Sequence, residues 1–170
     1  MPVLAVIVGG LLTALGSFVL QRTSRAAERR EFLRARLEQM YTLTSQVQRW
    51  ANQQVSVGAS VGLAASPGGG LAGAAAEVMK GANERQSTDE IVMLARFYHP
   101  RLAPQAELLD QLATSVVTEV NNFVDYIASK PFDAEPDARR LERAAEARDT
   151  LRGSAEQFKK SLSDEVRAFI

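Results

Sequence analysis

The chain of 170 residues contains no cysteine, one histidine and one tryptophan. Each scarcity closes off a class of chemistry. Without thiols there is no disulfide, no thiolate metal site, no cysteine nucleophile and no lipid attached through cysteine. His99 alone cannot build a multi-histidine metal centre. No serine sits in a Gly-x-Ser-x-Gly elbow, and the Glu-x-x-His pairs of a di-metal carboxylate bundle are missing. The triple glycine Gly68-Gly69-Gly70 lacks the Gly-Lys-Ser/Thr ending of a phosphate loop. Net charge is lacking too, since 20 Lys+Arg balance 20 Asp+Glu, so no global field draws the chain to nucleic acid. The expectation is a protein that is not an enzyme and carries neither cofactor nor metal.

Charge is also missing from one continuous stretch. Pro2 to Leu20 gives nineteen residues without a charged side chain. At ~1.5 Å per residue a helix of that length spans about 28 Å, close to the hydrocarbon thickness of a bilayer. A cleaved signal peptide is the competing reading. It is disfavoured because no Lys or Arg precedes the run, the apolar core is long, and Ser24-Arg25-Ala26 lies beyond the first arginine. A retained transmembrane helix over residues 2–21 is therefore expected. Within it Ala5, Gly9, Thr13 and Ser17 recur at every fourth position, the spacing that lets two membrane helices approach closely.

Past this run the chain turns basic. Residues 21–52 hold seven Arg against three Glu, whereas 85–129 hold three Arg against six acids. Positive charge at one membrane end stays cytoplasmic, so the N-terminus is expected outside and the C-terminus in the cytoplasm, in a cell inner membrane. Arg22, Arg25, Arg29 and Arg30 are the expected contacts to lipid headgroups. No aromatic-rich motif interleaves with these arginines, so a nucleic-acid partner is disfavoured.

Helical periodicity fills most of the remainder. Leu33, Leu37, Met40, Thr44, Val47 and Ala51 alternate at four- and three-residue spacing, with Phe32, Tyr41 and Trp50 widening the stripe. This predicts a juxtamembrane helix over residues 22–54, continuous with the anchor. Seven of the eleven glycines lie between Gly58 and Gly81, and residues 50–76 carry no charge. Residues 55–86 read as a Gly/Ala-rich connector, with a membrane-dipping segment as the alternative. Ser87 and Glu90 have the spacing of a capping box, which opens a helical hairpin over residues 87–170. Ile91, Leu94 and Tyr98 form its first stripe. Pro100 and Pro104 interrupt that stripe, and Leu109, Leu112, Val116, Val120, Phe123 and Ile127 resume it. Tyr98, His99, Pro100 and Leu102 are expected to form a structural corner, with Leu102 turned inward. The last seam runs Leu141, Ala144, Arg148, Leu151, Ala155, Phe158, Leu162, Val166 and Phe169. The acids nearby, such as Glu142, Glu146 and Asp149, are expected as i,i+4 partners of Arg139, Arg143 and Arg152.

The uncharged start, the Arg cluster, "REFLRARLEQMY" and "LARFYHPRL" together resemble a loose class of small bacterial single-pass membrane proteins with a cytoplasmic helical region. Tyr98-x-Pro100-x-Leu102 is similar to a Tyr-Phe-Pro-x-Leu phrase recurring in that class, with His99 in place of Phe. The resemblance implies a bacterial source, which sixteen Arg against four Lys would suit, and it carries over no catalytic residue.

The expected fold is all-α: one transmembrane helix continuing into a cytoplasmic antiparallel, coiled-coil-like bundle of about three long helices. The expected function is a non-enzymatic membrane-tethered scaffold or sensor. It would act as a homo-oligomer that binds a protein partner beside the lipid bilayer. The alternative is a small oligomeric membrane effector that forms or gates a pore.

Overall fold

In the computed structural model of the chain, residues 2–64, 85–129 and 138–168 are described, with backbone alone for 2–22, 61–64, 85–86 and 128–129. All the regular structure among them is helical: α1 (Pro2–Ala64), α2 (Arg85–Tyr98), a single 3-10 turn (Pro100–Leu102), α3 (Ala103–Ser129) and α4 (Ala138–Arg167). The helices alternate in direction. Tyr98 meets Phe32 while Ser87 lies beside Trp50, so α2 runs against α1. Glu156 bonds Gln48 while Lys159 covers Tyr41, so α4 also runs against α1. Arg140 near the start of α4 stacks on Tyr126 near the end of α3.

The seams chose the packing. Leu37, Met40, Val47, Ala51, Ile91, Leu94, Leu109, Val116, Val120, Leu151, Ala155, Phe158 and Leu162 belong to one continuous buried core shared by all four helices. Phe123 is buried as well. Thr44 takes a seam position because its Oγ1 donates to the Met40 carbonyl at 2.7 Å, which satisfies the hydroxyl without any tertiary partner. Alanines do more than the apolar pattern indicated. Ala95, Ala106 and Ala113 are buried between the larger residues, where a missing side chain lets helices come close.

Three local expectations need correction. Helix α1 continues to Ala64, ten residues beyond its expected end at Gln54, because Gly58 and its neighbours still pack: a Cβ at Gly58 would stand 3.7 Å from Val120 Cγ1. Phe32 and Tyr41 do not widen the core. They are 42% and 45% exposed, and of the three aromatics only Trp50 is buried. Ser87 and Glu90 lie inside α2 rather than at its cap, and Glu90 instead accepts a hydrogen bond from Gln39 Nε2 of α1 at 2.6 Å. On α4, Arg148 of the last seam pairs with its neighbour Asp149 at 2.8 Å. Phe169 falls outside the described residues.

Gly153 lies in the interior of α4 with open space where a Cβ would stand. Glycine there costs backbone entropy with no packing return. Gly153→Ala is expected to raise stability by about 1 kcal/mol, read as an upward shift of the urea midpoint. An unchanged midpoint would mean that the last helix does not limit the stability of the bundle.

Candidate functional site

The corner between α2 and α3 begins with Pro100. A proline restricts the residue before it, and His99 leaves helical geometry at φ −140°, ψ 66°. The His99 N–H still donates to Ala95 O at 2.9 Å, which closes the last turn of α2. The Leu102 N–H then donates to His99 O at 2.8 Å, and the Ala103 N–H to Pro100 O. Four residues thus reverse the chain while keeping these backbone donors satisfied. Leu102 is turned into the core at 4% exposure, and Pro100 and Arg101 face outward.

His99 is 8% exposed, and its ring is hydrogen-bonded to the Leu33 backbone carbonyl of α1. Burial pushes its pKa below the ordinary 6.5. The bond to Leu33 and the Glu165 carboxylate of α4 oppose that shift without cancelling it. The native state therefore prefers the neutral ring, whereas the unfolded chain takes up a proton near pH 6.5. The sign is then fixed: His99's contribution to stability is complete above about 6.5 and is lost as pH falls below it towards the native pKa. As this is the single histidine of the chain, the slope should be separable from the carboxylates, which titrate lower. We expect urea midpoints to drop between pH 7.5 and 5.5, and His99→Gln to flatten that drop. A slope that survives the substitution would assign it elsewhere.

Around the corner, aromatic rings and a cation form a cluster. Phe32 of α1 and Tyr98 of α2 meet edge to face at 5.4 Å between centroids. The Arg36 guanidinium lies 4.8 Å from the Phe32 ring and 5.7 Å from the Tyr98 ring. Arg36 Nη1 also donates to Gln39 Oε1 at 2.7 Å, and Gln39 passes the link to Glu90. A positive charge on α1 is thereby relayed through an amide to a carboxylate on α2. On the opposite side Gln48 Nε2 donates to Glu156 Oε1 at 2.8 Å, and Lys159 Nζ donates to Gln48 Oε1. The hydrogen bond from Gln48, with Lys159 beside it, holds the Glu156 carboxyl below its usual range. Sequence pattern found neither brace, because the partners lie more than fifty residues apart.

Beyond the corner α1 extends past the buried core. From Thr23 to Glu31 every side chain is exposed, and Phe32, itself exposed, makes contact with α2 through Tyr98 before the buried seam begins. This stalk presents Arg25, Arg29 and Arg30 to the surroundings, while Arg34 pairs with Glu38 at 3.0 Å. The Arg22 side chain, and those of Ala5, Gly9, Thr13 and Ser17, lie outside the described side chains; their backbone belongs to the same helix. Among the described residues no helix is long and apolar enough to cross a membrane, and the uncharged run Pro2–Leu20 has its side chains outside that set. Among the described residues no group of three or more His, Asp or Glu could hold a metal ion.

No protein-family model matches the chain, and neither a curated protein nor a solved structure is similar to it.

Proposed function

We propose that the protein is a membrane-tethered, non-enzymatic scaffold or sensor that works by self-association and by binding a protein partner in the cytoplasm. One observation carries this reading: the uncharged run Pro2–Leu20 and the buried seam from Leu37 to Val55 belong to a single helix, joined by an exposed arginine stalk. A helix of 63 residues extends about 95 Å, enough for a membrane span with more than half its length left over. The arginines Arg25, Arg29 and Arg30 then lie within a few turns of the hydrocarbon boundary, where anionic headgroups attract them. Ala5, Gly9, Thr13 and Ser17 supply the surface on which two such anchors associate. The absence of thiols and of any multi-histidine pattern in the full sequence supports the non-enzymatic part.

The reading has two separable tests. A phosphatase that works only outside the cytoplasm, fused after Ile170, should be inactive in cells; an active fusion would overturn the orientation. In detergent or nanodiscs the native chain should run as an oligomer. Gly9→Ile combined with Thr13→Ile should reduce it towards monomer while leaving membrane insertion intact. Oligomers unaltered by that pair of changes would move self-association into the bundle.

A further inference from the structure

Between α1 and the start of α2 lies an open cleft of about 470 Å³, lined by Gln46, Arg49, Trp50 and Gln53 of α1 and Ser87 of α2. Its volume is in the range of small-molecule sites. The four α1 residues sit at i, i+3, i+4 and i+7, one stripe along a helix face. Every one of the five side chains can donate a hydrogen bond, and none is an acid. The donors are largely uncommitted. Arg49 spends Nε on a long 3.4 Å bond to Ser45 O of its own helix, and its terminal nitrogens have no partner among the described residues. Trp50 is 3% exposed, and its buried Nε1 has no acceptor among the described residues. A buried N–H without an acceptor costs about 1–3 kcal/mol, and Trp50, which lines the cleft, holds such a donor just behind the surface.

We propose that this cleft is a binding site for the oxyanion group of a small molecule, a carboxylate or a phosphate. The guanidinium of Arg49 supplies the charge and a fork that matches two oxygens of such a group. Gln46, Gln53 and Ser87 provide neutral donors around it, and the Trp50 indole provides both an apolar wall and the waiting N–H. Apart from Trp50, which also belongs to the buried seam, the site is formed by side chains that the scaffold reading does not use, so it stands or falls independently of the membrane anchor. It also bridges α1 and α2, and its occupancy would tighten the contact between them.

Because Trp50 is the single tryptophan, its fluorescence reports the cleft directly. The full chain in nanodiscs would be titrated with succinate and with inorganic phosphate, each against sodium chloride at matched ionic strength. The expected result is a saturable change with one of these anions beyond the chloride control, and the anion that produces it identifies the source of the oxyanion. Arg49→Gln, an exposed position where folding is not at stake, should weaken that binding about tenfold or more, with an unchanged melting temperature. Trp50→Phe, followed by calorimetry, should weaken it as well, since an aromatic ring is kept and the N–H removed. The proposal is overturned if neither anion differs from chloride, or if Arg49→Gln binds as tightly as the native chain.

Discussion

Leu102→Asp is expected to destabilise the bundle by about 4 kcal/mol, enough to leave much of a marginal domain unfolded at 37 °C. Leu102 is the inward-facing residue of the α2–α3 corner, and it is 4% exposed within the continuous core. The substitution removes its apolar contacts and places a carboxylate in an apolar setting that cannot solvate it. The main chain adds to the loss. The Leu102 N–H and the His99 carbonyl close the turn, so a side chain forced outward pulls on the bond that reverses the helix. Pro100→Ala gives the contrast. Pro100 is exposed at the first position of the 3-10 turn, and the change should cost less than about 1 kcal/mol. Chemical denaturation followed by far-ultraviolet circular dichroism measures both. Equal midpoints for Leu102→Asp and the native chain would mean that the corner is not seated in the core.

Phe158→Ala should cost about as much, roughly 3–5 kcal/mol, by a different route. Phe158 is 1% exposed on α4 and is among the largest fully buried side chains of the core. Its ring fills space that alanine cannot, and the close-packed helices around it collapse only partly into the void. Phe97 is the internal control. At 77% exposure its truncation to alanine should stay within about 0.5 kcal/mol. If the two phenylalanines gave similar losses, α4 would not be docked as described. Phe158→Leu keeps most of the volume and should lose only about 1 kcal/mol.

The same residues show how far local pattern reaches. Spacing alone separates Leu37, Met40 and Val47 from their exposed neighbours, because a helix that buries one face must repeat apolar residues at 3.6. Proline chemistry locates the corner in the same way: Pro100 acts on His99 through the main chain, whatever the fold around it. Ser87 and Glu90 mislead for an equally physical reason. The same two residues can cap a helix locally or serve it from within, and Gln39 of α1, standing at 2.6 Å from Glu90, decides between them. Phe32 and Tyr41 carry the same ambiguity. On the flank of a stripe an aromatic ring can enter the core or cover its edge, and here both lie beside cations, Arg36 and Lys159.

The oxyanion cleft is beyond sequence reading altogether. Gln46, Arg49 and Gln53 look like an ordinary solvated face, and nothing local distinguishes them from Arg34 or Glu38. Only the approach of Ser87 from a different helix gives that face a second wall. Likewise the single tryptophan reads as one more core residue until its indole N–H is found without an acceptor among the described residues.

By itself, then, the sequence determined the helices, the seams, the corner and the uncharged run, since each depends on intervals of a few residues along one chain. The tertiary structure decided how far α1 extends, which aromatics are buried, and which polar side chains brace one helix against another. It also buried His99, which sets the downward direction of its pKa against the opposing pull of Leu33 and Glu165. These are properties of surfaces brought together from positions fifty to a hundred residues apart, and periodicity along one helix holds no information about the helix it will meet.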